Sequence, residues 1–439
     1  MKKKLFVLSM DAMFHEDVAY MANKPNFKKI MEKRAEVEGV LSIYPASTYP
    51  AHTTLVTGCY PAKHGVYSNF PLRTVTDGIS HWPLYSRSVF AEDLFAAAKR
   101  AGCTTAAVYW PITGCNPNID HVINEYFFYY PDDCERIEEI FAEQGSDQVA
   151  LQAVRENLQY FPREEEGQPP IEERFDSFIM GCTCSLIRNV QPDVLLLHNC
   201  LLDTLRHRCG AFGEPLKDAL DQMDEWLGDV IEAMEDAGVY EQTNFVIISD
   251  HGHLDVSQLV NMNVLLRQGG FIEVAKDETI YNWQAYAQAN GVSTTIHLID
   301  HSNQKLYDRV YAYLLQLQEE GKYGIEKVFT KAELAERYNQ NGPYSFMIEA
   351  KNGTAFMNNW IGEPITLLPE GCVKGKHGHM PEKGPQPVFL AHGPAFKENA
   401  VLAKANLVDV APTLAAVLGQ TLPEADGRCM TELLKEVII

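Results

Sequence analysis

The sequence predicts an α/β protein whose core is a mostly parallel sheet sandwiched by helices. The short runs "LFVLSM", "DVLLLH" and "NFVIIS" have the uniform hydrophobicity of strands that are buried on both faces. The segment between the last two runs carries apolar residues at helical spacing and ends at Gly238. Strands that alternate with helices favour a parallel sheet, because parallel neighbours need a crossover connection.

Other segments continue this alternation. Pro25 begins a helix over "PNFKKIMEKRAE", because proline is tolerated in a first turn, and "SVFAEDLFAAAKRAG" is a helix that ends at Gly102. We expect strands at "TTAAVYW" and "PVFLAHG", a closing helix at "LVDVAPTLAAVLG", and a solvated acidic loop at 163–170. Residues 255–370 mix short elements with polar loops. We therefore predict one core from 1–254 and 371–439, and an inserted α+β cap at 255–370.

Composition limits the possible partners. The formal net charge of −22 disfavours a nucleic-acid polymer or an anionic membrane surface as partner. There is no run of ~18 apolar residues, so no membrane span is predicted. The apolar stretch in "MKKKLFVLSMDAM" is shorter than the ~7–15 residues of a signal peptide. Together with ten scattered cysteines that form no CxxC pair, this predicts a cytoplasmic protein with reduced thiols.

Acidic residues follow three of the predicted strands. Asp11 comes directly after "LFVLSM", Asp250 directly after "NFVIIS", and Asp203 five residues beyond "DVLLLH". Open α/β sheets place their ligand sites beyond the carboxyl ends of the strands. We therefore expect these three carboxylates to lie close together, although Asp11 alone is also compatible with a helix N-cap.

Histidines accompany these acids in "DTLRH", "SDHGH" and "GKHGH". Asp203 and His207 are neighbours if their turn is helical, His251 adjoins Asp250, and His377 lies between two glycines. Taken singly, Asp203 with His207 is compatible with a surface pair, and His377 with a loop histidine. Taken together, carboxylate and imidazole donors at one sheet edge suit two divalent ions, of which zinc is favoured.

These motifs together resemble the nucleotide pyrophosphatase/phosphodiesterase family of the alkaline phosphatase superfamily. "STYPAHTTLVTGCYPAKHGVYSN" is similar to its nucleophile region, and the three histidine motifs are similar to its metal motifs, in the family's order. "VYWPITG" resembles its Trp-Pro-Gly segment, and "HGPAFK" its C-terminal signature. The resemblance covers most of the core and is weak over the cap. It implies an alkaline-phosphatase-like fold and hydrolysis of phosphodiester or nucleotide pyrophosphate bonds in a small phosphorylated substrate.

The resemblance also implies a role for individual residues. One zinc ion would be bound by Asp11, Asp250 and His251, and the other by Asp203, His207 and His377. The Thr48 hydroxyl would also coordinate zinc. Thr48 matches the nucleophilic threonine, and Asn69 matches the asparagine that donates to a phosphate oxygen. A threonine alcohol needs activation, which zinc would supply, and a covalent threonyl intermediate followed by hydrolysis is implied. Pro50 predicts that Thr48 lies at a helix N-terminus, where backbone N–H groups favour anions.

The sequence departs from the family's pattern at two positions near the predicted site. Ala51 replaces an asparagine that the family often has, and "VYWPITG" lacks the usual glycine directly after Trp-Pro. Tyr109 and Trp110 are our candidates for a substrate slot. Aromatic residues of the cap are further candidates, namely Tyr281, Trp283 and Tyr286.

Other activities stay open at this stage. A phosphomonoesterase or a carbon–phosphorus hydrolase of the same superfamily would share the two-metal site. A monoesterase needs extra positive charge for the third phosphate oxygen, and the candidates are Arg206, Arg208, Lys374 and Lys376. "CYPAK" resembles the C-x-P-x-R core of sulfatases, but it has lysine in place of the arginine. A non-catalytic metal-binding protein is disfavoured, because it would not need the nucleophile and all six Asp and His ligands.

Overall fold

The computed structural model describes residues 4–70, 72, 82–127, 131–161 and 172–435. The acidic segment 163–170, expected to be a solvated loop, lies outside these residues. Within the described residues, no helix is both long and apolar enough to cross a lipid bilayer. None of the ten cysteines forms a disulfide bond within the described residues.

The strands of the described residues are short, as the apolar runs predicted. They are β1 (Lys4–Met10), β2 (Ala35–Val37), β3 (Val40–Leu41), β4 (Thr105–Val108), β5 (His121–Ile123), β6 (Val194–Asn199), β7 (Thr243–Ile248), β8 (Leu254–Asn261), β9 (Ile272–Val274), β10 (Ile280–Trp283), β11 (Ala285–Ala289), β12 (Ser293–Leu298), β13 (Ile325–Thr330), β14 (Phe346–Ala350), β15 (Gly353–Met357), β16 (Ile365–Leu367), β17 (Lys374–Lys376), β18 (Phe389–His392), β19 (Val401–Leu402) and β20 (Ala405–Asn406).

Helices separate most of these strands. They are α1 (Val18–Met21), α2 (Pro25–Met31), α3 (Thr48–Thr57), α4 (Pro61–His64), α5 (Leu94–Arg100), α6 (Ile137–Glu143), α7 (Gln148–Asn157), α8 (Glu172–Asn189), α9 (Leu201–Cys209), α10 (Pro215–Asp236), α11 (Met262–Gln268), α12 (Gln304–Glu320), α13 (Lys331–Tyr338) and α14 (Val410–Val417). Helix α2 ends earlier than predicted, because Ala35–Val37 pair with β18 and β19 as an outer strand of the sheet.

The largest sheet has eight strands in the order β19-β2-β18-β7-β1-β6-β4-β5. Strands β7, β1, β6, β4 and β5 run parallel, and β18 runs antiparallel to both of its neighbours. The carboxyl ends of β1, β6 and β7 therefore reach the same edge. This arrangement confirms the predicted mostly parallel sheet.

Apolar side chains cover both faces of this sheet. Along β1, Phe6 and Leu8 join one cluster with helices α8 and α10, whereas Leu5 and Val7 join a second cluster with α5 and α14. All four side chains are buried. The continuous hydrophobicity of "LFVLSM" thus reflects burial on both faces, and helices sandwich the sheet as predicted.

Residues between β8 and β17 build smaller sheets. Strands β11, β12, β14 and β13 form a four-stranded antiparallel sheet, and β8 pairs with β15, β16 and β17. Helices α11 and α12 share a separate apolar cluster with these strands. The division into a core and a cap at 254 and 371 stays a prediction.

Arg206 anchors helix α9 to the loop that follows β1. Its side chain is fully buried, and its Nη2 donates to Asp17 Oδ2 at 2.6 Å. The guanidinium lies 3.5 Å from the centroid of the Phe14 ring, and its Nη1 donates to the Ala211 carbonyl. Arg206 was one of the candidate phosphate-binding cations, and the structure places it in this internal pair instead.

We predict that Arg206→Met lowers the free energy of unfolding by about 3–5 kcal/mol, because Asp17 would keep a buried charge without its partner. Arg188→Met is the matched control, since Arg188 and Asp236 form an exposed pair with 40% and 56% of their side chains accessible. Such pairs contribute about 0–1 kcal/mol. Urea unfolding measures both changes, and equal midpoints for the two variants would contradict the assignment.

Candidate active site

Thr48 begins helix α3 directly after the N-cap residue Ser47. Its hydroxyl Oγ1 lies 3.2 Å from His251 Nε2. The first turn of a helix leaves backbone N–H groups without helical partners, and these carry partial positive charge. The predicted helix N-terminus at Thr48 is therefore confirmed, and the position suits an alkoxide or a phosphate.

The other threonines of α3 have local partners. The Thr53 hydroxyl donates to the Tyr49 carbonyl at 2.8 Å, and the Thr57 hydroxyl donates to the Thr53 carbonyl at 2.8 Å. Both are side-chain bonds to the carbonyl one turn earlier in the same helix. Of these three hydroxyls, only that of Thr48 faces the acidic cluster.

The first predicted ligand set comes together at the ends of β1 and β7. His251 Nε2 lies 3.1 Å from Asp250 Oδ2 and 3.5 Å from Asp11 Oδ1, and the three residues form one group of potential metal ligands. All three are buried. Because β1 and β7 are paired in the sheet, residues that follow these strands meet at its edge, as the sequence predicted.

The second predicted set lies beside the first. Asp203 and His207 are one turn apart on α9, with 3.4 Å between Asp203 Oδ2 and His207 Nε2. His207 Nδ1 donates to the Gly375 carbonyl at 2.9 Å, which leaves Nε2 to bind a ligand. The His377 ring is 5.1 Å from that of His207 and 4.3 Å from that of His251.

The structure groups the second set of potential metal ligands differently from the prediction. Within 4.8 Å, Asp203 groups with His251 and His377, and separately with His207 and His253. The predicted trio of Asp203, His207 and His377 thus spans two overlapping groups. Both groups share the Asp203 carboxylate, so the two predicted metal sets are contiguous.

Main-chain bonds hold the His377 loop in place. The Val292 N–H, in the turn between β11 and β12, donates to the His377 carbonyl at 2.9 Å. The Gly378 N–H donates to the carbonyl of Ala46, two residues before Thr48, at 2.7 Å. The same turn accepts a 2.6 Å bond from Ser68 Oγ through Asn290 Oδ1. These contacts join the turn between β11 and β12 to the loops that carry Thr48, Asn69 and His377.

The electrostatics of the cluster fit divalent cations. Asp11 Oδ1 and Asp250 Oδ2 are buried and have no hydrogen-bond partner. Burial, together with the neighbouring carboxylates of Asp250 and Asp203, raises the pKa of Asp11 well above its usual range. Burial also raises the pKa of Asp250. Uncompensated carboxylates in a buried site are costly, so bound cations would stabilise this arrangement.

The histidines are suited to act as neutral ligands. Burial lowers the pKa values of His251 and His377 well below the usual range, so both imidazoles keep a free lone pair at neutral pH. Burial alone would raise the pKa of Asp203, but His207, His377 and His251 outweigh it and lower that pKa. The donor set of carboxylates and neutral imidazoles therefore fits zinc.

Asn69 lies beside the threonine. Its Oδ1 accepts a hydrogen bond from the Tyr49 backbone N–H at 2.9 Å. A backbone N–H can bond only to the oxygen of the carboxamide, so this contact fixes the orientation of the amide. The remaining NH₂ group is a donor, as the predicted role of Asn69 requires.

A cavity of about 550 Å³ opens onto this cluster. Its polar end is lined by Asp11, Thr48, Asn69, Asp203, His207 and His377. Its aromatic wall is formed by Tyr49, Trp82, Tyr109, Tyr126, Phe127 and Phe175. Within this wall, the Trp82 ring contacts two others, with ring centroids 4.6 Å from Tyr49 and 4.9 Å from Phe127. The volume is in the range of small-molecule sites.

Some predicted substrate-pocket residues lie elsewhere. Tyr109 lines the cavity, but Trp110 is buried in the cluster on the opposite face of the sheet, edge-on to His52 at 5.1 Å. Both residues lie just beyond β4, and the backbone of Tyr109 has a positive φ of 55°, so strand alternation does not set the directions of the two rings. Trp110 therefore does not line this cavity, and its role as a substrate residue stays a prediction.

The three cap aromatics also lie away from the cavity. Tyr281 is exposed and donates to Glu273 Oε2 at 2.7 Å, whereas Trp283 and Tyr286 pack in the cap cluster. Among the four candidate cations, Arg208 lines the cavity. Lys374 is exposed and Lys376 is half-buried.

The sequence analysis missed two histidines that contact predicted ligands. His198 Nε2 lies 3.0 Å from Asp11 Oδ2, and His253 Nε2 lies 2.7 Å from Asp203 Oδ1. Both are fully buried. His198 could have been noticed as a polar residue at the end of an apolar strand. His253 repeats His251 two residues later in "SDHGH", a spacing that returns a side chain to the same side of an extended chain.

Comparison with known proteins identifies the family. The profile of the type I phosphodiesterase / nucleotide pyrophosphatase family matches residues 5–380. Human ectonucleotide pyrophosphatase/phosphodiesterase family member 5 is 24% identical over 443 residues, covering 97% of this chain and 76% of the relative. The bis(5'-adenosyl)-triphosphatase enpp4 of Xenopus laevis is 24% identical over 429 residues, covering 95% and 78%.

Solved structures share the fold. Human ectonucleotide pyrophosphatase/phosphodiesterase 5 superposes with a TM-score of 0.69 at 21% identity, covering 99% of this chain and 100% of the other. An inactive variant of the murine protein in complex with AMP gives a TM-score of 0.66 at 20% identity, with the same coverage. From the extent of the family match, this chain belongs to the type I phosphodiesterase / nucleotide pyrophosphatase family and is a phosphoric ester hydrolase.

Proposed function

We propose that the protein hydrolyses phosphodiester or nucleotide pyrophosphate bonds of a small substrate through a covalent intermediate on Thr48. The observation that carries this proposal is the Thr48 hydroxyl, which begins a helix and lies 3.2 Å from His251 Nε2. It lies at the polar end of the cavity, in the same cluster as two buried carboxylate oxygens that accept no hydrogen bond. A nucleophile, an anion-binding helix end and cation ligands are thus gathered in one place.

The chain's residues would hold two divalent ions, most suitably zinc. One ion would be held by Asp11, Thr48, Asp250 and His251, and the other by Asp203, His207 and His377. Bound ions of this kind supply Lewis-acid stabilisation of charge on the attacking and leaving oxygens. Neutral imidazoles and ionised carboxylates are the protonation states that such binding requires.

The remaining chemistry belongs to the protein. The Thr48 oxygen forms a bond to phosphorus while the bond from phosphorus to the leaving oxygen breaks, which gives a phosphothreonyl ester. The Asn69 NH₂ would donate to a nonbridging oxygen, and the positive end of the α3 helix dipole would stabilise the charge on the phosphate. Water then cleaves the ester, which releases the second product and restores the threonine alcohol.

The cavity favours an organic group of nucleoside size. The aromatic wall around Trp82 offers flat apolar surfaces, and base–aromatic stacking contributes about 1–3 kcal/mol per base. A related murine protein binds AMP. By analogy, we propose that one side of the cleaved phosphate carries a nucleoside or a similarly sized aromatic group stacked against this wall.

A phosphomonoesterase or a phosphonate hydrolase is the alternative. Arg208 lines the cavity and could offer charge to a third phosphate oxygen. Rates on a chromogenic phosphodiester, its monoester, a dinucleotide polyphosphate and phosphonoacetate with zinc decide between these readings. We expect the highest kcat/KM for the diester or the dinucleotide. Faster turnover of the monoester or of phosphonoacetate would favour the alternative, and turnover of none would overturn both.

We predict that Thr48→Ala lowers kcat by about 10³-fold or more, because the variant lacks the oxygen that attacks phosphorus. Thr53→Ala is the matched control, since its hydroxyl bonds within the same helix, and its kcat should stay near wild type. Both are measured on the phosphodiester with the metal content determined in parallel. Robust residual turnover by Thr48→Ala would mean that another group is the nucleophile.

We predict that Asp250→Asn reduces zinc from two ions per chain to one and removes most activity, because the amide cannot replace a charged ligand. Asp236→Asn, an exposed substitution on α10, should leave the metal content unchanged. Elemental analysis after equilibration with zinc measures the stoichiometry. If Asp250→Asn kept both ions and the wild-type rate, Asp250 would not be a ligand.

A further inference from the structure

We infer that His253 is a positioning residue for the second metal set, whose Nε2–H donates to Asp203 and presents that carboxylate to a cation. The inference rests on the proposed function, because it assigns His253 a role toward an ion held by Asp203, His207 and His377. It concerns a residue that makes no contact with substrate and that lies outside the seven predicted ligands.

The contact is short and enclosed. His253 Nε2 lies 2.7 Å from Asp203 Oδ1, and the His253 side chain has no accessible surface. The His207 and His377 rings lie 4.7 Å and 5.4 Å from the His253 ring, so the imidazole is adjacent to both other members of the set. A buried donor at this distance orients the carboxylate strongly.

The surroundings of the ring select one tautomer. His253 Nδ1 is buried and has no hydrogen-bond partner. A proton on Nδ1 would therefore be an unsatisfied donor and would leave Nε2 facing the carboxylate lone pair to lone pair. A proton on Nε2 satisfies the contact with Asp203 and leaves Nδ1 as an unpaired acceptor. The geometry thus makes Nε2 a donor to Asp203 rather than a lone pair directed at a metal.

The backbone next to Nδ1 lacks a side chain at Gly375, which leaves space for the His253 ring. A Cβ atom added to Gly375 of β17 would lie 2.7 Å from His253 Nδ1 and 2.5 Å from the Arg206 carbonyl oxygen. The same glycine accepts the hydrogen bond from His207 Nδ1 through its carbonyl. Gly375 therefore leaves space for the His253 ring, and its carbonyl orients the His207 ring. Both histidines depend on this one backbone position.

The two carboxylate oxygens of Asp203 therefore have different roles. Oδ1 is held by His253, and Oδ2, which lies 3.4 Å from His207 Nε2, remains for an ion shared with that imidazole. Partners that orient a metal ligand typically change metal affinity by about 10–100-fold when they are removed. His253 would therefore tune the affinity of the second site without being a ligand.

The test compares His253→Leu with His253→Gln in the full chain. The glutamine amide can place an N–H near the position of imidazole Nε2, but it does not replace an imidazole as a zinc ligand. Apoprotein prepared with a chelator is titrated with zinc in competition with a chromogenic chelator, so the readout is metal affinity rather than turnover. His64→Gln, at another fully buried histidine, is the matched control, and thermal unfolding of each apoprotein verifies folding.

We expect wild type and His64→Gln to bind two zinc ions, and His253→Leu to bind one of the two about 10–100-fold more weakly. His253→Gln should recover most of that loss. Unchanged affinity in His253→Leu, or equal losses in both His253 variants, would overturn the positioning role while leaving the proposed function intact. Failure of the wild-type chain to bind two ions would overturn both.

Discussion

Three aspartates meet at one edge of the parallel sheet, and the proposed chemistry depends on how their charge is balanced. Asp11 and Asp250 follow the paired strands β1 and β7, and Asp203 lies in the helix that follows β6. Burial raises the pKa values of Asp11 and Asp250, and the nearby Asp203 carboxylate raises both further. One carboxylate oxygen of each is buried without a hydrogen bond. Confining these carboxylates in a buried cluster costs electrostatic free energy. Bound cations would lower that cost.

Each of the three aspartates contacts a histidine. Asp11 contacts His198, Asp203 contacts His253, and Asp250 contacts His251. Carboxylates held in this way present a defined oxygen to the interior, which is the geometric precondition for binding an ion in a fixed place. The nucleophile is fixed independently by the start of helix α3, so the alcohol and the ligand cluster are positioned by different elements that converge at one sheet edge.

The sequence predicted those parts of the site that follow from local rules. Strand ends located the aspartates, and Pro50 correctly indicated a helix that begins near Thr48. Side-chain direction is harder to predict from sequence, because Tyr109 and Trp110 are consecutive residues beyond β4 and yet pack in clusters on opposite faces of the sheet. Arg206 lies near a metal motif in sequence, yet it forms an internal pair with Asp17. The contact between His253 and Asp203 joins positions fifty residues apart, so only the tertiary structure reveals it.

Anomalous diffraction at the zinc absorption edge, on crystals grown with zinc, tests the central claim most directly. We expect two anomalous peaks per chain. One lies among Asp11, Thr48, Asp250 and His251, and the other lies among Asp203, His207 and His377. A single peak, or a peak outside these two sets, would contradict the account of how the aspartate cluster is neutralised.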